Sequence, residues 1–189
     1  MSALSLIFQT LLLNKESISK IVHSENYSKW ATIFTLLVGV CYGLVFYTYI
    51  PADYIKFDSQ LLQVFAFSFV LVLGIFMIFI TRVGLSFLLW AGGRAFGGPG
   101  LLRVLNRLTS FAIVPIIIGF PAIISFSTGS NTSVFMYILL IISLVWIYLI
   151  LVKVIEVSQN LKAWKAYSAT LIALVFFTSV YYLVLPPGS

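Results

Sequence analysis

Residues 61–80 read LLQVFAFSFVLVLGIFMIFI, twenty positions without one acidic or basic side chain. As a helix this run would rise about 30 Å, the thickness of a bilayer's hydrocarbon core. Hydrocarbon offers the peptide groups no water, so the chain must satisfy them itself, as a helix or as a closed barrel. A barrel strand alternates polar and apolar positions in segments of about ten residues. From Phe65 to Ile80 there is no such alternation, and the helix is left. Apolar sequence then continues past Arg82 to Ala91. A helix over residues 61–91 would reach about 46 Å, and would fit the hydrocarbon only at a tilt of about 50°, beyond the usual range. The expectation is a helix that protrudes from the membrane or bends near Gly84. Arg82 is placed at the inner interface, its long side chain reaching for headgroups.

Four more runs share this character: residues 30–50, 108–126, 134–152 and 166–185. With 61–80 they cover ninety-nine residues and hold none of the 16 acidic or basic side chains, where random placement would put about eight. The whole chain agrees, being 61% hydrophobic and 8% charged, against roughly 45–50% and 25% in soluble domains. A water-soluble globule this small would carry a surface greasy enough to aggregate. Soluble enzymes and nucleic-acid binders are thereby excluded, despite a net charge of +6. The predicted fold class is all-α, a polytopic membrane helical bundle with five transmembrane helices. Residues 1–29 form a cytoplasmic amphipathic arm, 30–185 the membrane domain and 186–189 a short external tail.

Charge sets the orientation. Lys15, Lys20 and Lys29 precede the first run, and Lys56 alone lies between the first and second. Arg82, Arg94, Arg103 and Arg107 lie between the second and third, and Lys153, Lys162 and Lys165 between the fourth and fifth. Ten of the 11 basic residues therefore fall on alternate flanks, which places the N-terminus in the cytoplasm and the C-terminus outside. Aromatic anchors agree, with Tyr27 and Trp30 opposite Tyr47 and Tyr49 on the first span, and Trp164 and Tyr167 opposite Tyr181 and Tyr182 on the last. In the arm, Leu4, Ile7, Phe8, Leu11, Ile18, Ile21 and Val22 recur at helical spacing, interrupted around Asn14 and Lys15. One or two short helices follow, either lying on the inner leaflet or packed against the ends of the bundle.

Gly92, Gly93, Gly97, Gly98 and Gly100 form the densest glycine cluster. Gly98 and Pro99 stand where a phosphate-binding loop needs Lys and Ser or Thr, so nucleotide binding is not expected. A tight turn is, with Arg94, Arg103 and Arg107 set to meet anionic headgroups or an acidic partner. Gly39 and Gly43 have the spacing that lets two helix backbones approach, within the chain or between protomers. Pro115 and Pro121 are expected to kink the third span, with Ser110 or Ser125 serving the freed carbonyls. Arg82, Lys153 and Glu156 make a candidate ion pair at the membrane. Cys41 has no second cysteine to pair with, and His23, the one histidine, lacks companions for a metal site. No catalytic constellation and no cofactor are expected. Asn131-Thr132-Ser133 is a formal glycosylation sequon, meaningless in a bacterium.

In this order the chain resembles the Yip family of small five-span membrane proteins. The residues that carry the likeness are the glycine-rich turn after the second span, Phe111-Ala112-Ile113-Val114-Pro115, Lys165-Ala166 at the start of the last span and the leucine-rich arm. Leu101, where the family favours Phe, and Asn14-Lys15-Glu16, where it favours Pro, depart from it. The resemblance implies an inward N-terminus and an outward C-terminus. It also implies a short form like the bacterial members, without the long cytosolic region of the eukaryotic ones that bind Rab-type GTPases. The expected location is a bacterial cytoplasmic (inner) membrane. The expected role is non-enzymatic, a membrane organiser or an accessory to a transport or envelope complex that contacts anionic lipid and self-associates. The rival is a small-solute or ion permease with its path along the kinked third span. A lipid-active enzyme would need folding to bring Arg82, Glu156 and His23 together.

Overall fold

A computed structural model describes residues 3–50, 59–129 and 133–184. The expected positions of Lys56, Asn131, Thr132 and the tail 186–189 lie outside the described residues, as does the side chain of Tyr181. Eight helices follow in order: α1 Ala3–Leu11, α2 Lys15–Val22, α3 Tyr27–Tyr49, α4 Gln60–Ala95, α5 Leu102–Ala112, α6 Ile116–Ser127, α7 Val134–Ser158 and α8 Ala163–Val184. There is no strand among the described residues. Four helices, α3, α4, α7 and α8, are each long and apolar enough to cross a membrane, and α5 with α6 makes a fifth if that bent pair is one span.

The third span departs from expectation. In place of one kinked helix over 108–126 stand two helices meeting at 79°. Pro115 lacks the N–H that would continue α5, and its fixed φ suits the start of a new helix, so it becomes the cap residue of α6. Pro121, by contrast, is accommodated inside α6. The twelve residues of α6 rise only about 18 Å, too short to cross alone.

Helix α4 runs unbroken for 36 residues, about 54 Å. It passes Gly84 without interruption and protrudes. Its buried residues, Val70, Gly74, Ile78, Arg82, Leu85, Ser86, Leu89 and Gly93, recur every three or four positions, one stripe turned to the bundle. The opposite side exposes Phe65, Phe69, Val72, Phe76 and Phe79, with the Ser68 hydroxyl among them returned to Val64 O, as suits a lipid-facing surface.

Helices α3 and α4 pack along each other, α6 along α7, and α8 against both α4 and α7. The first crossing is a backbone contact: a Cβ built on Gly74 would lie 2.7 Å from Gly43 Cα, and one on Gly39 2.6 Å from Ile75 Cα. The Gly39 and Gly43 pair therefore serves packing within the chain. Deep burial gathers at the basic end of the bundle, where Leu89, Leu105, Leu108, Phe111, Leu151 and Ile155 meet Ile7, Ile18 and Ile21 of the arm.

Candidate functional site

Helix α5 is amphipathic, with Arg103, Asn106 and Arg107 interleaved among leucines. It lies at the basic end between the arm and α3, α4 and α7, with Asn106 meeting α4 and Arg107 meeting α2. Arg82 of α4 meets it there. The guanidinium Nε donates to both the backbone O (3.0 Å) and the side-chain Oδ1 (2.9 Å) of Asn106, and Nη1 donates to Thr35 Oγ1 of α3 at 3.2 Å. Thr35 in turn donates to Ala31 O, and Ser86 Oγ to Arg82 O. Arg82 is only 8% exposed. Of the two candidate pairings of Glu156, the one with Lys153 forms and the one with Arg82 does not: the described partners of Arg82 are neutral oxygens inside the bundle.

Arg107 also departs from expectation. It is 7% exposed and turns away from headgroups, its Nη2 donating to Ile21 O (2.8 Å) and Val22 O (3.0 Å). These are carbonyls of the last turn of α2, Ile21 O accepting from Ser24 N as well, where the helix dipole also favours a cation. Arg107 thus fastens the arm to the bundle. Two further contacts do the same. Trp146 Nε1 of α7 donates to Leu11 O at 2.8 Å, and Glu156, beyond the span expected at 134–152, accepts from Lys15 at 2.6 Å and Lys153 at 2.9 Å. The Lys15 hydrogen bond, seconded by Lys153, holds the Glu156 carboxyl below the usual carboxylate range, and the Lys15 ammonium is raised in return.

The break at Asn14 and Lys15 is as the sequence suggests, with Asn14 Oδ1 capping α2 through the N–H groups of Glu16 and Ser17. The arm packs against the bundle through Ile7, Ile18 and Ile21, while Leu4, Phe8 and Leu12 form an exposed apolar row on α1. His23 sits exposed at the end of α2 with Nδ1 against Ser19 O, far in role from Arg82 and Glu156, each of which has other partners. No group of metal-ligating side chains occurs among the described residues.

Of the glycine cluster, Gly92 and Gly93 belong to the last turn of α4 rather than to a loop. A Cβ on Gly92 would lie 3.0 Å from Ala169 O of α8, and one on Gly93 3.1 Å from Gln159 Cγ. The turn proper is pinned by Gln159, the residue capping α7, whose Oε1 accepts from Gly100 N at 2.7 Å. Gly97 and Gly100 take the positive φ values of 93° and 73° that the tight turn requires. Trp90 Nε1 donates to Gly100 O and Lys165 Nζ to Phe96 O. Arg94 lies over the Trp90 ring and stays exposed; Arg103, 91% exposed at its side chain, reaches Glu25 only at 3.8 Å.

At the break in the third span, Ser143 Oγ of α7 donates to Pro115 O at 2.9 Å. Ser110 serves Asn106 O instead, and Ser125 Oγ has no partner among the described residues. Asn106, Gln159, Thr35, Trp146 and Ser143 are thus the structural partners that reading the sequence missed. One signal was present for Asn106: an amide between two arginines on an apolar-periodic run has an inward face available to it.

These geometries define an all-helical bundle with several candidate membrane spans and an internally braced basic end. No family model, curated protein or solved structure matches the chain.

Proposed function

We propose that the chain is a five-span protein of the Yip-family type in a bacterial cytoplasmic membrane, N-terminus inside, acting without catalysis as an organiser or accessory subunit of a transport or envelope complex. The observation that carries this reading is a division of labour among the cations. Arg82 and Arg107 are spent inside the bundle, while Lys20, Lys29, Arg94, Arg103 and Lys162 stay exposed. Exposed cations of this kind suit anionic headgroups or an acidic surface on a second copy or a larger complex.

The permease reading has less support. A path along α6 would need a polar cavity at Pro115, and Pro115 is buried, its carbonyl occupied by Ser143 and the α5–α6 region packed with fully buried Phe111, Phe120 and Ile124. In reconstituted vesicles, wild type and Pro115→Ala should both leave solute permeability at the empty-vesicle level. In mild detergent, a co-purifying membrane complex should be lost from an Arg94→Glu, Arg103→Glu double variant. Transport that Pro115→Ala abolishes while Arg94→Glu leaves it intact would reverse the assignment.

A further inference from the structure

Arg82 is a buried guanidinium without a counter-ion. No carboxylate lies within 4 Å of it among the described residues. Its partners, Asn106 O, Asn106 Oδ1 and Thr35 Oγ1, are all neutral. Nη2 makes no hydrogen bond to a described residue, yet it is not among the buried atoms left without a partner, so this edge of the fork is open at the surface of the bundle. A guanidinium has five donors in a rigid fork that matches the oxygens of a phosphate. Placing a net charge in surroundings of low dielectric without an opposite one is costly, and membrane proteins tolerate it chiefly where something pairs with it. Asn106 also restrains the fork, since Nε is bonded to both its oxygens and Nη1 to Thr35. Arg107, the next residue on α5, adds a second buried cation whose acceptors are likewise neutral carbonyls. The basic end is therefore built with an excess of buried positive charge.

We infer that the Nη edge of Arg82, steadied by Asn106 and Thr35, binds a phosphate-bearing anion at the junction of α3, α4 and α5. The shared chemistry is a phosphate monoanion, supplied by a phospholipid headgroup or by free phosphate. The site is separate from the exposed Arg94 and Arg103 face and stands whether or not that face docks a partner.

The test measures thermal unfolding of the full chain in nanodiscs of phosphatidylcholine, with and without one-fifth phosphatidylglycerol, and separately with inorganic phosphate against chloride at equal ionic strength. A ligand present at about ten times its Kd should raise the wild-type Tm by about 3–6 °C. A rise with phosphatidylglycerol alone assigns the site to lipid, and a rise with phosphate alone assigns it to the free anion. Arg82→Gln should lose the rise. Because that variant removes an internal brace as well, Asn106→Asp is the sharper probe. It sets a carboxylate where Oδ1 now accepts from Nε, gives Arg82 an internal counter-ion and should fold with no further gain from either anion. Arg103→Gln, on the exposed face, should keep the full rise. The inference is overturned if neither anion raises the wild-type Tm. It is equally overturned if Asn106→Asp responds like wild type, or if Arg103→Gln abolishes the rise, since general surface charge would then be the cause.

Discussion

Adding one methyl group to Gly74 should push α3 and α4 apart. The new Cβ would lie 2.7 Å from both Gly43 Cα and Gly43 N and 2.8 Å from Gly39 O, where carbon contacts sit at about 3.5–4.0 Å. Every one of those atoms is backbone, so no side chain can rotate out of the way, and α3 must move off α4 by about 1 Å. A gap of that size forfeits a quarter to a half of each contact's dispersion energy, along a seam that includes Leu71 and Ile75. Overpacking of this kind costs about 1–3 kcal/mol, and rigid neighbours put Gly74→Ala at the upper end. Ala regains about 0.5–1 kcal/mol of helix propensity, leaving a net loss of about 1–2 kcal/mol and a Tm lower by about 2–8 °C. Gly84 supplies the control. Its added Cβ would meet only Phe177 Cε2, at 3.7 Å, an ordinary contact, so Gly84→Ala in the same helix should be neutral or gain about 0.5–1 kcal/mol. Thermal unfolding of both variants in one nanodisc composition decides the matter. If Gly74→Ala unfolds at the wild-type temperature, or the two variants shift alike, the backbone contact between α3 and α4 is not as described.

Three further outcomes follow from particular contacts. Glu156 has a depressed pKa and Lys15 a raised one, so their latch is at full strength between the ordinary carboxylate and lysine values, roughly pH 4.3 to 10.4. It should fail on the acid side only as pH falls through the depressed Glu156 value, and hydrogen exchange in α1 and α2 should rise there; Glu156→Gln should show that faster exchange already at pH 7, and unchanged protection would count against the latch. Ser143→Ala removes one of two donors to the Pro115 carbonyl, which also accepts from Ile118 N at 3.2 Å, and should cost about 0.5–1.5 kcal/mol, read as a lower Tm; an unchanged Tm would mean that the bond from α7 adds nothing to the bend. Gln159→Leu removes the acceptor for Gly100 N and should speed exchange at that amide while leaving α3 untouched.

The long spans were legible because one physical rule, exclusion of charge from hydrocarbon, acts on every residue of a run such as 61–80. Pro115 marks a bend in the third span, and the structure has one there, at 79°. Counting apolar residues from Leu108 nonetheless ran two helices together, since hydropathy does not register where one backbone ladder ends. It also cut α5 in half, discarding Arg103, Asn106 and Arg107 as loop when their spacing among leucines marks a helix with a polar side. A short list of acids leaves Glu156 as the candidate partner of either Arg82 or Lys153, and the structure gives it to Lys153 and Lys15. The fold satisfies Arg82 with amide and hydroxyl oxygens, which sequence offers in numbers too large to choose among. Gly39 and Gly43 announced a close approach through spacing on one helix, but the facing glycine, Gly74, is fixed only by how α3 and α4 cross.

The tether between Lys15 and Glu156 spans 141 positions. At about 5–20 residues per second, translation needs roughly 7–28 s to travel that far. Until it ends α1 and α2 lack Glu156, and for most of it they lack Arg107 or Trp146 as well, with Leu4 and Phe8 exposed on one side of α1 and Ile7 and Ile18 still uncovered. Biogenesis thus includes a waiting period in which the early helices float on the leaflet or rest with a chaperone, and a ribosome stalled between Arg107 and Glu156 would strand them there.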